Sequence, residues 1–141
     1  MHLTAAYPLT VYFDATCILC TAEMSAMKAR DSAARLELVD CSPAGFDAGP
    51  APREALMTAI HVVDAAGQVF VGVPAIRACR DAVGLPSGSF LLDLPWVAPL
   101  ADRAYGVLAR NRYRLPRWLV ALLAGKAARS SRTCAGGNCR I

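Results

Sequence analysis

The sequence has no long apolar run and few charged residues for its length. None of its 141 residues belongs to a stretch of the eighteen or more apolar residues that a membrane-spanning helix needs. Charged residues make up 18%, below the quarter or so that is typical of globular domains, and apolar residues make up 55%. We therefore expect a single domain with a sizeable core and no membrane span.

Features of a secretory signal are also lacking at the start of the chain. Residues 1–8 have no basic segment, no apolar segment and no cleavage site ahead of the first predicted strand. We therefore expect a cytoplasmic protein. Its six cysteines then favour thiol chemistry or metal binding over a framework of structural disulfides.

Acidic residues nearly disappear from the C-terminal third. After Leu100 the only acid is Asp102, and the basic residues are Arg103, Arg110, Arg112, Arg114, Arg117, Lys126, Arg129, Arg132 and Arg140. Such asymmetry is typical of proteins that bind nucleic acid or an anionic membrane. Few aromatic residues are interleaved with these bases, so we do not expect nucleic-acid binding. We favour the interpretation that these arginines form a solvent-exposed helix face and pair with carboxylates. Docking on a membrane or on a partner is the alternative.

The most informative stretch joins a predicted strand to a predicted helix. Apolar and polar residues alternate over 9–13, which is typical of a strand, and residues 14–16 interrupt the pattern. Good helix formers follow from Cys17 onward. Cys17 and Cys20 therefore lie where a strand gives way to the start of a helix.

This position favours thiol redox chemistry. Unpaired N–H groups and the helix dipole stabilise an anion at a helix N-terminus, so a thiolate at Cys17 is favoured. Cys20, three residues later on the same helix face, can resolve a mixed disulfide formed at Cys17. A C-x-x-C pair after a strand is typical of thioredoxin-like proteins, although the same pair also occurs as half of a zinc site.

Three segments resemble the DCC family of predicted thiol-disulfide oxidoreductases. They are the D-x-x-C-x-x-C run at 14–20, the hairpin-like residues 60–72, and Ala-Arg-Asn-Arg-Tyr-Arg at 109–114. The resemblance implies a thioredoxin-like fold and thiol-disulfide exchange. The chain departs from the family pattern at Ala15, where glycine is usual, and at Ile18 and Leu19, where proline and phenylalanine are common.

The remaining pattern predicts an α/β fold, a thioredoxin-like mixed sheet flanked by helices with a helical C-terminal extension. A strand over 35–40 completes a parallel crossover unit, residues 59–63 and 68–71 form a hairpin, and a helix covers about 74–83. We assign residues 1–85 to the core and residues 86–141 to the extension and its cysteine-bearing tail, within one domain. Helices are predicted over 100–113 and 118–126, the first packing back through Leu100, Ala104, Val107 and Leu108, with Tyr105 as a further candidate for that face.

The candidate catalytic residues are Cys17, Cys20 and Asp14. Asp14 would hold the loop through hydrogen bonds to backbone N–H groups, or would take up and return the proton of Cys20.

The expected substrate is a protein or small-molecule disulfide, and no cofactor is expected. The sequence does not indicate the reductant or the oligomeric state. Because no charge lies between the cysteines, we expect a mildly reducing centre. The proline that usually precedes the third strand in thioredoxin-like proteins is absent, with Met57 and Thr58 in its place.

The tail cysteines leave two alternatives open. Cys134 and Cys139 would complete a four-thiolate zinc site with Cys17 and Cys20, giving a non-enzymatic zinc-binding or redox-sensing module. They would equally well form a dithiol that exchanges with the helix pair.

The other candidates for chemistry are expected to be structural. We interpret Cys41 and Cys79 as small packing residues, because free cysteine is commonly buried and inert. His61 lies within an apolar strand, where a hydrogen-bonded structural histidine is the usual case.

Overall fold

A computed structural model describes residues 4–85 and 94–124, and for residues 120, 121, 123 and 124 it describes the backbone alone. In chain order the elements are β1 (Leu9–Phe13), α1 (Ile18–Lys28), β2 (Leu36–Asp40), α2 (Arg53–Thr58), β3 (His61–Val63), β4 (Val69–Val71), α3 (Val73–Ala82), α4 (Val97–Asn111), a 3-10 turn (Arg112–Arg114) and α5 (Arg117–Ala124). No helix in this part of the chain has both the length and the apolar character needed to cross a bilayer.

The strands form one mixed sheet in the order β2-β1-β3-β4. β1 and β2 are parallel, from Leu9 opposite Leu36 to Phe13 opposite Asp40, whereas β3 is antiparallel to both β1 and β4. A mixed four-stranded sheet with flanking helices and a helical C-terminal part confirms the predicted fold class and is consistent with a thioredoxin-like fold. Because β1 is an inner strand, the loop that follows it lies midway along one end of the sheet.

The main core lies between the sheet and the helices α1 and α3. Leu9 and Val11 of β1 have no exposed surface, and they pack with Met24 and Met27 of α1 and with Ala78 of α3. Alternation along β1 places these side chains on one face. Burial of this face fixes the register of β1, and so fixes where its C-terminal loop begins.

The loop and short helix between β2 and β3 pack against β1 at Tyr12. The ring of Phe46 meets Tyr12 edge to face, with 6.4 Å between ring centroids. Gly49 has φ +109°, and a Cβ there would lie 2.9 Å from the Tyr12 ring. Glycine is therefore required at this position both by backbone conformation and by space.

The extension contacts the core through a different helix face from the one predicted. Leu100, Ala104 and Val107 are exposed, so the prediction that they pack inward was wrong, whereas Leu108 is half-buried as expected. Two polar contacts explain the difference. The Ile60 N–H donates to the Tyr105 hydroxyl at 3.0 Å, and about two helical turns later the Arg112 side chain donates to the Met57 carbonyl. These two anchors set the rotation of α4 about its axis.

Replacing Leu9 tests the importance of the central strand. Leu9→Ala removes a side chain without exposed surface, and we expect it to lower the free energy of unfolding by about 2–5 kcal/mol in urea denaturation. Val71→Ala, at a 44% exposed position of β4, serves as the control and should change it by less than about 1 kcal/mol. Equal effects of the two changes would contradict the assigned core.

Candidate active site

The loop after β1 is organised by Asp14. Its Oδ1 accepts hydrogen bonds from the Thr16 N–H at 2.9 Å and from the Thr16 hydroxyl at 2.6 Å, and its main-chain oxygen accepts from the Cys17 N–H at 3.2 Å. Asp40, at the end of β2, accepts from the Ala15 N–H at 3.1 Å. Carboxylates from two neighbouring strands therefore hold the three-residue loop that leads to Cys17.

Cys17 immediately precedes α1, and its sulfur accepts two hydrogen bonds from Cys20. The Cys20 N–H lies 3.3 Å from the Cys17 Sγ, and the Cys20 thiol lies 2.8 Å from it. Both cysteines are free, and the backbone at Cys17 is extended, with φ −85° and ψ 114°. The helical spacing of the pair thus puts one sulfur in position to donate a proton to the other.

This contact separates the acidities of the two thiols. The hydrogen bond from the Cys20 thiol, helped by the Cys20 N–H and the charge of Arg112, lowers the pKa of Cys17 to about 7 against the opposing effect of burial. The same hydrogen bond, together with burial and the nearby Cys17 charge, raises the pKa of Cys20. Above a pH of about 7 the pair therefore holds mainly one proton, which stays on Cys20, and the negative charge lies on Cys17.

Arg112, from the 3-10 turn after α4, enters the site beside Asp14. Its Nη2 lies 3.4 Å from the Asp14 Oδ2 and donates to the Met57 carbonyl, and its Nη1 lies 4.0 Å from the Cys20 Sγ. Its side chain is only 8% exposed, and that of Asp14 is fully buried. A cation is thus held next to both the carboxylate and the dithiol.

Tyr113 completes the polar cluster. Its hydroxyl donates to the Asp14 Oδ2, and it also accepts from the Arg112 Nη2 at 3.1 Å. Burial opposes ionisation of Asp14, but hydrogen bonds from Thr16 and Tyr113 and the Arg112 charge outweigh it and lower its pKa. Asp14 is therefore a carboxylate with partners on both oxygens.

Apolar residues of the extension cover the dithiol. Cys17 and Leu19 pack against Leu108 and Leu115, which flank the 3-10 turn, and Cys17 is only 1% exposed. Cys20 is more accessible, because it lines a cavity of about 260 Å³ between the sheet, α1, α3 and α4. Cys17 does not line this cavity, so access to its sulfur depends on the extension.

Residues 11–118 match the family model described as DCC1-like thiol-disulfide oxidoreductase, about three quarters of the chain. The chain belongs to this family. It matches no curated protein and no solved structure. Membership in the DCC1-like family supports a redox function, and the matched span contains every residue of the polar cluster and the dithiol described above.

The structure brings Cys17, Cys20 and Asp14 together, all three of which were proposed from the sequence. Arg112 and Tyr113 were missed as site residues. The only signal for them was the family-like segment at 109–114, and no spacing rule connects residue 112 with a loop almost a hundred residues earlier. The general expectation that arginines of this region cap carboxylates holds for Arg112.

The surroundings of Cys41, Cys79 and His61 in this DCC1-like protein are those of structural residues. Cys41 follows β2, is fully buried, and donates to the Phe13 carbonyl at 3.0 Å; burial raises its pKa. Cys79 is fully buried in α3, and burial raises its pKa to about 12. His61 is 7% exposed, and its Nδ1 lies 2.8 Å from the Ala59 carbonyl. None of the three contributes to the dithiol.

The zinc alternative and the tail relay both need Cys134 and Cys139, which lie outside the described residues. Within the described ranges, no group of three or more cysteine, histidine or carboxylate side chains is arranged to hold a metal ion. The four-thiolate hypothesis thus stays a prediction, and metal analysis of protein purified without chelator is its direct test.

The acidity of Cys17 gives the first prediction for the site. In a variant with the other four cysteines replaced by serine, the thiolate absorbance of the reduced dithiol should rise through a midpoint near pH 7, because the lowered pKa of Cys17 makes it ionised above that value. Cys20→Ala should move the midpoint upward, since the donor is lost. Arg112→Met should also move the midpoint upward, because a nearby positive charge is lost, and Arg112→Lys should move it less, because the charge is kept. A midpoint near that of a free thiol, about 8.5, would contradict the assigned hydrogen bond.

The apolar cover gives a second prediction. Leu115→Ala should speed alkylation of Cys17 by roughly five- to tenfold at fixed pH, because the loss of part of its packing makes local opening of the extension easier. The matched control is Leu122→Ala, a 73% exposed leucine of α5, which should leave the rate unchanged. Mass spectrometry of the modified peptide gives the rate. Equal rates for Leu115→Ala and the parent protein would show that the extension does not limit access.

Proposed function

We propose that this protein is a thiol-disulfide oxidoreductase whose nucleophile is Cys17 and whose resolving thiol is Cys20. The observation that carries the proposal is the 2.8 Å contact between the Cys20 thiol and the Cys17 sulfur, which supports a thiolate at Cys17 and a protonated thiol at Cys20. Family membership supports the reaction class, and the lowered pKa of Cys17 supports its role as the attacking thiolate.

In the first step the Cys17 thiolate attacks one sulfur of a substrate disulfide. A bond forms between Cys17 and that sulfur, the substrate S–S bond breaks, and the other substrate sulfur leaves as a thiolate. Cys20 keeps its proton during this step, because its pKa is raised by the adjacent Cys17. The intermediate is a mixed disulfide on Cys17.

In the second step Cys20 attacks the Cys17 sulfur and releases the bound half of the substrate. Formation of the mixed disulfide removes the negative charge of Cys17, and with it a main cause of the raised pKa of Cys20. The Cys20 proton passes to a departing substrate thiolate. The products are the Cys17–Cys20 disulfide and the reduced substrate, and two electrons have moved from the protein to the substrate.

Arg112 acts as a positioning residue in this scheme. Its guanidinium is 4.0 Å from the Cys20 sulfur, so it favours the Cys20 thiolate that the second step needs. Asp14 in turn fixes the guanidinium, since the two side chains form a buried ion pair. We assign Asp14 to this bracing role. A role as acceptor of the Cys20 proton is less favoured, because its lowered pKa makes it a weak base.

The redox poise is proposed to be mildly reducing. A pKa of about 7 at Cys17 lies at the upper end of the range of about 3.5–7.5 for activated cysteines, so the thiolate is only moderately stabilised relative to the disulfide. We propose that the protein acts in a reducing compartment, the cytoplasm, where such a dithiol would be kept reduced. The substrate is a protein or small-molecule disulfide.

Trapping of the mixed disulfide tests the division of roles. With Cys41, Cys79, Cys134 and Cys139 replaced by serine, Cys20→Ser should accumulate a covalent adduct at Cys17 when treated with a disulfide substrate, because the resolving thiol is absent. Cys17→Ser is the matched control and should accumulate adduct at Cys20 more slowly, because burial still raises the pKa of the Cys20 thiol when Cys17 is absent. Mass spectrometry reads out both. A stable adduct in the Cys17→Ser protein and none in the Cys20→Ser protein would reverse the assignment.

A further inference from the structure

The charge of the chain is divided sharply along its length. The first 93 residues contain six basic and ten acidic residues, whereas residues 94–124 contain five arginines and the single acid Asp102. The net charge of +4 over the whole chain therefore conceals a negative core and a positive extension. Arg112 forms an ion pair with Asp14, whereas Arg103 and Arg110 are exposed on α4.

The extension also exposes large apolar side chains. Trp96 is 68% exposed, Leu100 60% and Val107 53%. Two further exposed residues, Trp118 and Leu122, belong to α5. A small domain rarely leaves so many large apolar side chains in water within one short segment unless a partner covers them.

Five exposed residues, Trp96 just before α4 and four within it, follow one line along the helix, and the exposed Asp102 lies off this line. Trp96, Leu100, Arg103, Val107 and Arg110 are spaced by three or four residues, which places them on a single helix face. The opposite face is anchored to the core through Tyr105, Leu108 and Arg112. The helix is thus held against the domain with this exposed stripe directed outward.

We propose that this stripe, Trp96, Leu100, Arg103, Val107 and Arg110, binds the surface of an anionic lipid bilayer. Helices that lie in the membrane interface combine exposed apolar side chains, tryptophan among them, with basic residues. Tryptophan favours the headgroup level, and arginine side chains reach from apolar surroundings to lipid phosphates.

A bilayer explains the stripe better than other anionic partners. Nucleic acid would use the arginines and the tryptophan, but it offers nothing to Leu100 and Val107, because its surface beside the phosphates is polar. An acidic protein would satisfy the charges, but it would need apolar pockets in register with Leu100 and Val107, whereas a bilayer offers acyl chains along the whole stripe. The proposed site is separate from the dithiol and does not depend on its reaction.

The test uses the two tryptophans as reporters, since the sequence has no others. In a Trp118→Phe variant, Trp96 is the only tryptophan, so its emission reports on the stripe alone. Vesicles of phosphatidylcholine mixed with phosphatidylglycerol should shift this emission to shorter wavelength, brominated lipids should quench it, and the protein should sediment with the vesicles. Binding should weaken as salt is raised, because the attraction is screened.

Matched variants separate charge from apolar insertion. Arg110→Glu should weaken binding at least about fivefold, the effect of one arginine near an anionic surface, whereas Arg30→Glu, exposed after α1, should leave it unchanged. Leu100→Ser should weaken it about tenfold, whereas Val69→Ser, 45% exposed on β4, should not. All four positions are exposed, so the fold should survive each change.

Four results would overturn the proposal. They are absence of vesicle binding, equal binding to phosphatidylcholine alone, binding without a change in Trp96 emission, and equal effects of the stripe variants and their controls. Self-association that buries Trp96 in the absence of lipid, measured by sedimentation, would assign the stripe to a second copy of the chain and would also reject the lipid assignment.

Discussion

The buried ion pair between Asp14 and Arg112 is the interaction on which the rest of the site depends. Asp14 holds the loop that positions Cys17, and Arg112 carries the C-terminal extension onto that loop. An unpaired carboxylate at this depth would be strongly destabilising, so removing either partner would disturb both segments. Tyr113 and the Met57 carbonyl provide the remaining hydrogen bonds, which makes the cluster a junction between the first strand and the last part of the described chain.

This junction has two consequences for the dithiol. It brings a positive charge within reach of both sulfurs, and it brings Leu108 and Leu115 over Cys17. The segment that covers the Cys17 sulfur therefore also helps to lower its pKa. The Met57 carbonyl, shortly before β3, accepts a hydrogen bond from Arg112. If Cys17 is the nucleophile, as proposed, substrate entry requires displacement of the extension.

Much of the core could be predicted from sequence because its determinants are local. Alternation gave β1, β2 and the hairpin, the proline and glycine positions bounded α3, and the C-x-x-C spacing identified Cys17 and Cys20. The rotation of α4 could not be predicted in this way. Leu100 and Val107 are as apolar as Leu108, and hydrophobic periodicity cannot show that the Tyr105 hydroxyl and the Arg112 guanidinium decide which face turns inward. The roles of Arg112 and Tyr113 depend on contacts nearly a hundred residues apart in sequence, which only the folded chain defines.

The central claim is that Cys17 and Cys20 form a reversible redox pair. Its most direct test is equilibration of the native protein in glutathione buffers of graded potential, followed by acid quenching and mapping of disulfide-linked peptides. The account predicts that a Cys17–Cys20 disulfide appears and disappears in a single two-electron transition, without loss of the folded state. A native protein in which these two cysteines never join, or join only after denaturation, would contradict it.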